Sequence, residues 1–326
     1  MRIDGTSIGD SLANSDLADI AADLGRDFAR YGLRLPQVGP GLSAMETVYR
    51  EIQRLRRKPE TSDSYIRKWL SLRYNALKRG RVVHEEVTAD YIKRIDFPWC
   101  PVTHIRLTKG TGGPSDWSVD RIDNGGAYAP GNLCIISTRA NRVKGNLSFE
   151  EILANAEKAE PTDTLKPIEW LRMASMAYGN HAAVHGDTLL IPTLTSSGVY
   201  FQAPSQLVQG LLMAVMLENP AGEDPNAWAF IQRCRDPRFN PAETVALLEP
   251  LLDALQVGGC ACGWNDAWSY SPAREAFRPW WDDMTRNRRF PVSAFFDIGP
   301  GVADSKKRKP EIVSGWSLES RGYLEE

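Results

Sequence analysis

From Cys100 to Gly145 the chain drops the helical periodicity it keeps almost everywhere else, and this break limits what it can fold into. The stretch reads CPVTHIRLTKGTGGPSDWSVDRIDNGGAYAPGNLCIISTRANRVKG. WSVDRID alternates as a strand does, and NLCIIS is a second short apolar strand. NGGAYAPG separates them as a loop, and TRANRVKG opens a helix. Upstream, CPVTHIRL reads as a short strand or turn, and KGTGGPSD as a Gly- and Pro-rich loop. The local order is therefore strand, loop, strand, helix. It gathers Asp120, Asn132, Asn141 and Lys144 within about two dozen residues.

Helical patterns flank this stretch on both sides. Leu17, Ile20, Leu24 and Phe28 recur at helical spacing in LADIAADLGRDFARYGL, which RLPQVGPG ends. A second helix is expected over Ser43–Arg57, with Ser43 and Glu46 as a capping box and Met45, Val48, Ile52 and Leu55 as its apolar stripe. A third runs over Ser62–Arg79 and stops at Gly80, with Ile66, Leu70, Tyr74 and Leu77 inward. Thr88 caps a short helix over Ala89–Ile95. Ser148 and Glu151 form a capping box for a helix to about Ala159, and PTDTLKP marks a boundary. Beyond it, helices are expected near Ile168–Ala183, Ser205–Glu218, Asn226–Arg235, Ala242–Leu255 and Ala273–Asn287. A β-hairpin is expected in TLLIPTLTSSGVYF and a strand in FPVSAFFDIG. The expected class is α+β and mostly helical. Three parts follow: a basic helical region 1–95, the central module 96–160, and a mostly helical region 161–326.

Charge is informative through its distribution. The formal net charge is −2, but 13 Lys/Arg against 6 Asp/Glu between Arg50 and Arg94 leave that segment near +7. A basic segment beside a polar motif is the asymmetry of a phosphate-binding footprint; two solvated basic helices are the plainer reading. Five cysteines give an odd count without disulfide-scaffold density, which suits a reducing cytoplasm. CxC at Cys260 and Cys262 is not zinc-ligand spacing, so no structural zinc is expected. The N-terminus lacks a signal-peptide core, and no run approaches the ~20 apolar residues of a membrane span. No membrane partner is expected.

CPVTH, SVDRIDNGGAYAPGN, CIISTRANRVKG and SFEEI, in this order and spacing, resemble HNH endonucleases of the ββα-metal superfamily. The likeness is to the phage and prophage group reading CPxTG…SLDRIDxxxGYxxGNxxxVSxxANxxK. It covers about 90 residues, Ser62 to Leu153, because RYNALKRGRVVHEEVTADYIKRI also resembles the helix and connector before that motif. The resemblance implies metal-dependent cleavage of DNA, most simply double-stranded. It places a carboxylate from the first strand, Asp120, and an amide from the helix, Asn141, on the metal. Mg²⁺ or Mn²⁺, one ion per site, is the implied cofactor.

The chemistry agrees. Phosphodiester hydrolysis needs charge neutralised on the phosphate and an activated water, and a hard cation with one or two protein oxygens supplies the first. Asn132, at the motif's middle position, is expected to brace the loop. Arg139, Arg142 and Lys144 near the helix start, with Arg73, Lys78, Arg79 and Arg81 upstream, are the candidate phosphate contacts. One position departs from the usual pattern. Where most HNH enzymes carry a His as general base, this chain has Arg121, which stays protonated and cannot serve. DRID recurs in the resembling group, so Arg121 does not mark a dead site; it is a candidate for stabilising the pentavalent phosphate. Asp123, to activate water or to join the ion's shell, and His104, where the group often has Gly, are the other candidates.

The region after residue 160 has no defined chemistry. Its Trp residues read as helical core rather than a base-stacking platform. His181 and His185 stand four apart, as metal ligands on a helix do, but without HExxH, and an ordinary role outweighs a metal one. Target selection, homodimerisation or binding of a protein partner are the roles left for it. Two alternatives to an active nuclease stand: a weak or inactive HNH-fold DNA-binding or assembly protein, and a defence effector gated by the C-terminal region.

Overall fold

A computed structural model describes residues 9–37, 42–158, 165–194, 203–217, 264–286 and 314–324. The order is α1 (Gly9–Arg30), α2 (Ser43–Arg54), α3 (Ser64–Leu77), α4 (Ala89–Arg94), β1 (Trp117–Arg121), β2 (Leu133–Ser137), α5 (Thr138–Lys144), α6 (Phe149–Ala156), α7 (Pro167–His185) and α8 (Pro204–Leu217). A 3₁₀ turn, Trp264–Ser269, and α9 (Ser271–Arg286) follow. The described chain is mostly helical, with one small two-stranded antiparallel sheet, β1 against β2. The helices expected over Asn226–Arg235 and Ala242–Leu255, the strand in FPVSAFFDIG and the CxC pair lie outside the described residues. Thr188–Leu194 forms no strand, so the expected hairpin is absent from that part; the rest of it lies outside the described residues.

Contacts divide the chain into two units, and the division differs from the expected three parts. The first holds residues 1–96, 125–133 and 314–326; the second holds 97–124 and 134–313. Along the chain the division falls near residues 96, 124, 133 and 313, and the C-terminal end joins the first unit.

In the first unit, Ala21, Leu24, Phe28, Met45, Leu70, Tyr74 and Leu77 form one core from α1, α2 and α3. Burying each large side chain contributes roughly 1.5–3 kcal/mol. Two details depart from the sequence pattern. Ile20 is exposed, because α2 crosses α1 at Gly25, where an added Cβ would stand 2.2 Å from the Met45 carbonyl oxygen. The seam thus runs through the small residues Ala21 and Gly25 and turns Ile20 outward. Ser43 does not cap α2 either: buried Leu42 is the N-cap residue, no side chain caps the helix, and Glu46 pairs with Arg50 instead. Leu55 lies past the end of α2 and is exposed. Asp63 caps α3 and Thr88 caps α4 with side-chain acceptors, as such residues do at N-caps.

Three distant segments of this unit interlock through backbone bonds. Val82 N donates to Gly322 O (2.9 Å), Leu324 N to Gly80 O (2.8 Å), Tyr128 N to Val82 O (3.0 Å) and Ala127 N to Trp316 O (2.7 Å). The Trp316 indole donates to Pro130 O at 2.9 Å, and the Arg81 guanidinium lies 3.5 Å above the Tyr323 ring. Gly322 has φ +69°, and a Cβ there would stand 2.5 Å from the backbone of Gly126 and Ala127.

In the second unit, Cys100, Val102, Ile122, Cys134, Ile136, Ala140, Ile152, Trp170, Met173 and Ala177 share one core. The hairpin, α5, α6 and α7 are therefore parts of a single packing unit. Trp268, Trp280 and Trp281 are buried, with Phe277 edge-on to Trp268 at 5.3 Å between ring centroids.

The Gly322 clamp gives a first prediction. Gly322→Ala should lower stability by about 1–3 kcal/mol through backbone overlap and left-handed strain, measured by urea unfolding. Unchanged stability would show that the C-terminal segment does not brace the first unit.

Candidate active site

β1, β2 and α5 set the geometry. Side chains two apart on a strand share a face, so Ser118 and Asp120 point the same way from β1. α5, begun by Ser137 capping Ala140 N at 3.2 Å, packs on β1. Asn141 Nδ2 donates to Ser118 Oγ at 2.6 Å, and Lys144, one helical turn later, reaches Asp120. One face of α5 thus covers one face of β1 and brings Asp120, Asn141 and Lys144 to a common patch.

Lys144 is fully buried, with its ammonium 2.7 Å from Arg121 O, 3.2 Å from Asn124 Oδ1 and 2.9 Å from Asp120 Oδ2. This corrects the phosphate-gripping role expected of it: all three recorded contacts of the ammonium are internal. The contact with Asp120 is an ion pair by distance but lies outside hydrogen-bond angles, so Asp120 Oδ2 is buried without a directed donor. Coulomb attraction at 2.9 Å does not require hydrogen-bond alignment, so the ammonium still holds the carboxylate. Asn124 holds the turn after β1, its amide donating to Gly145 O (3.1 Å) and Leu147 O (3.0 Å).

Arg121 is on the opposite face of β1, buried, with Nη1 donating to Asn124 O at 3.0 Å. Its role in this structure is to hold the turn, which corrects the expectation that it faces a phosphate. Asn132 is buried in the first unit, its amide donating to Ala127 O at 2.9 Å.

The remaining candidate cations sort by partner. Arg139 pairs with buried Glu169, Arg73 with Asp27 while lying 4.6 Å above Trp69, and Arg81 with Tyr323. Those charges are engaged in structural contacts. Lys78, Arg79 and Arg142 are exposed. Upstream of β1, the Asp116 carboxylate accepts from Thr108 Oγ1 (2.6 Å), Thr111 Oγ1 (2.8 Å) and Gly112 N (2.7 Å). These bonds, that of Thr108 foremost, hold its pKa down to about 2 and tie the Gly-rich loop together.

His104 sits in a tight turn with φ +54°, its N donating to Cys100 O at 2.8 Å. Burial, then the Arg172 charge, lowers its pKa, while Asp266 and Glu169 oppose them. Arg172 in turn binds Asp266 (Nε to Oδ1, 3.0 Å). The left-handed backbone explains why a Gly suits this position.

The His181–His185 pair lies where α7 packs on the start of α6. His181 on α7 stacks on Phe149 at 4.2 Å between centroids, with Nδ1 3.6 Å from Glu150 Oε1 and the His185 ring 4.5 Å away. Burial first, then His185, lowers its pKa; Glu150 and Asp123 act in the other direction. The i,i+4 pair was visible in the sequence as a metal-ligand spacing, but its closeness to Phe149 and Glu150 depends on the packing of α6 on α7.

Among the described residues, no three or more His, Cys, Asp or Glu side chains converge as a metal cage. A hydrated divalent ion needs fewer protein ligands; Asp120 Oδ2 is enclosed against the Lys144 ammonium, which leaves the other carboxylate oxygen of Asp120, with the Asn141 carbonyl oxygen, to hold one.

Two predictions follow from this geometry. Lys144→Met leaves the Asp120 charge and two further acceptors without their cation, and should cost about 3–5 kcal/mol in chemical denaturation. His104→Gly removes left-handed strain and should raise stability by up to about 1 kcal/mol; a lowered melting temperature would show that the imidazole, not the turn, is what the site requires.

No protein-family profile, curated protein or solved structure matches the chain.

Proposed function

We propose that the chain is a metal-dependent endonuclease that hydrolyses phosphodiester bonds of DNA, double-stranded in the simplest case, in the cytoplasm. The observation that carries this reading is the common patch of Asp120 from β1 and Asn141 from α5, on a strand–loop–strand–helix unit whose sequence resembles the HNH group. Asp120 and Asn141 would hold Mg²⁺ or Mn²⁺, and the ion, when bound, supplies charge neutralisation at the phosphate. Lys144 holds the Asp120 carboxylate in place, and Asn124 and Arg121 hold the turn that presents it. Arg142, exposed on the last turn of α5, is the cation of this unit's candidate set left to meet a phosphate.

A second reading is a DNA-binding or assembly protein that cuts weakly or not at all. It is favoured by the ammonium already paired with Asp120 and by the burial of Arg121. Such a protein would bind DNA in a salt-sensitive way without metal dependence.

Plasmid cleavage decides between them. The expected result is Mg²⁺-dependent cutting, abolished by EDTA and lowered about 100-fold or more by Asp120→Ala and by Asn141→Ala, the scale of losing a group that stabilises transition-state charge. Cleavage undiminished by both substitutions would remove this site; DNA binding without cleavage under any metal would favour the second reading.

A further inference from the structure

The unresolved step of the proposed reaction is the proton. Arg121 cannot accept one, and its side chain is turned to Asn124 O. His104 is acted on by Arg172, Asp266 and Glu169, none of them in the DRID segment. His181 differs on three counts.

The first is position. Asp123 lies three residues beyond Asp120 and interacts electrostatically with His181. The neighbouring Asn124 binds the Gly145 and Leu147 carbonyls immediately before α6, and α6 supplies both Phe149 and Glu150 to the His181 ring. The turn after β1, the start of α6 and the last turns of α7 therefore adjoin within one unit. The second count is orientation. The Phe149 stack fixes the ring plane, and Glu150 Oε1 lies 3.6 Å from Nδ1, so Nε2 is the ring nitrogen turned away from that carboxylate. A base oriented by a carboxylate is the usual arrangement for activating a nucleophile, and such contacts are often long before substrate binds. The third is access. The His181 side chain keeps 17% of its surface exposed, so a water can reach it. A satisfied core histidine would instead hold a hydrogen bond to backbone or buried carboxylate; Glu150 is 69% exposed and 3.6 Å away.

We propose that His181 is the general base of the Asp120 site, taking from α7 the part that the residue after Asp120 cannot play. The proposal rests on the nuclease reading above. The imidazole takes a proton from water as the water oxygen bonds to phosphorus. One bridging P–O bond breaks, the departing sugar oxygen takes a proton from solvent, and the imidazolium returns its proton to solvent. One water is consumed, leaving a hydroxyl and a phosphate monoester, with no change of oxidation state.

The charged groups facing His181 are Glu150 from α6, Asp123 from the turn after β1 and His185 from α7 itself. Burial and His185 keep the imidazole neutral below its ordinary range, so the base form is present at neutral pH and the rate falls only as acid protonates it.

The test is plasmid cleavage with Mg²⁺ by wild type, Asp120→Ala, His181→Ala, His181→Gln and His185→Ala, each followed from pH 5 to pH 9, with melting curves for every variant. His181→Ala and His181→Gln should lose about 100-fold or more, the usual contribution of a general base. Added imidazole should restore part of the His181→Ala rate. His185→Ala should move the acid limb of the profile to higher pH, a change that a purely structural histidine would not produce. Cleavage by a folded His181→Gln within about threefold of wild type, with Asp120→Ala inactive, overturns the general base and leaves the nuclease reading standing. Absence of wild-type cleavage, or full activity in Asp120→Ala, overturns both.

Discussion

The buried Lys144 ammonium is the interaction on which the central unit depends. A fully buried charge is costly unless compensated, and here the compensation comes from the end of β1, the turn after it and the Asp120 carboxylate together. That requirement fixes α5 against β1, since Lys144 and Asn141 sit one turn apart on the same helix face. It also positions Asn124, whose amide in turn holds the chain where α5 gives way to α6. The site and the fold of this unit are thus one hydrogen-bonded arrangement. A residue that resembles a phosphate ligand by type has become a strut because it is enclosed.

The same logic sorts the other cations. Arg73, Arg81 and Arg139 each meet an acid or an aromatic ring, and Arg121 meets a carbonyl. A guanidinium engaged in a structural pair contributes less to a surface potential than a free one, so residue type alone does not mark these arginines as phosphate contacts. Lys78 and Arg79 in the first unit and Arg142 in the second are the exposed members of the candidate set.

The loop holding Asn132 belongs to the first unit, while the strands on either side of it belong mainly to the second. Asn132 braces its own loop through Ala127 O, and the C-terminal segment closes over that loop through Trp316 and Gly322. A piece of the chain nearly two hundred residues away is thus required to complete the setting of a motif residue.

Local signals in the sequence were sufficient for much of this structure. The strand–loop–strand–helix order, the Ser148–Glu151 capping box, the Thr88 cap and the stop at Gly80 all depend on residues within a few positions of each other. The grouping of Asp120 with Asn141 was legible for the same reason, since short strands and a seven-residue helix leave few ways to arrange them. Tertiary structure alone decided the rest. It turned Ile20 outward because Gly25 admits α2, buried Lys144 and Arg121 rather than presenting them, returned the C-terminal end to the first unit, and brought His181 beside Phe149 and Glu150. Each of these depends on contact between segments far apart in the chain, where side-chain type predicts what a group can do but only packing determines which neighbour it meets.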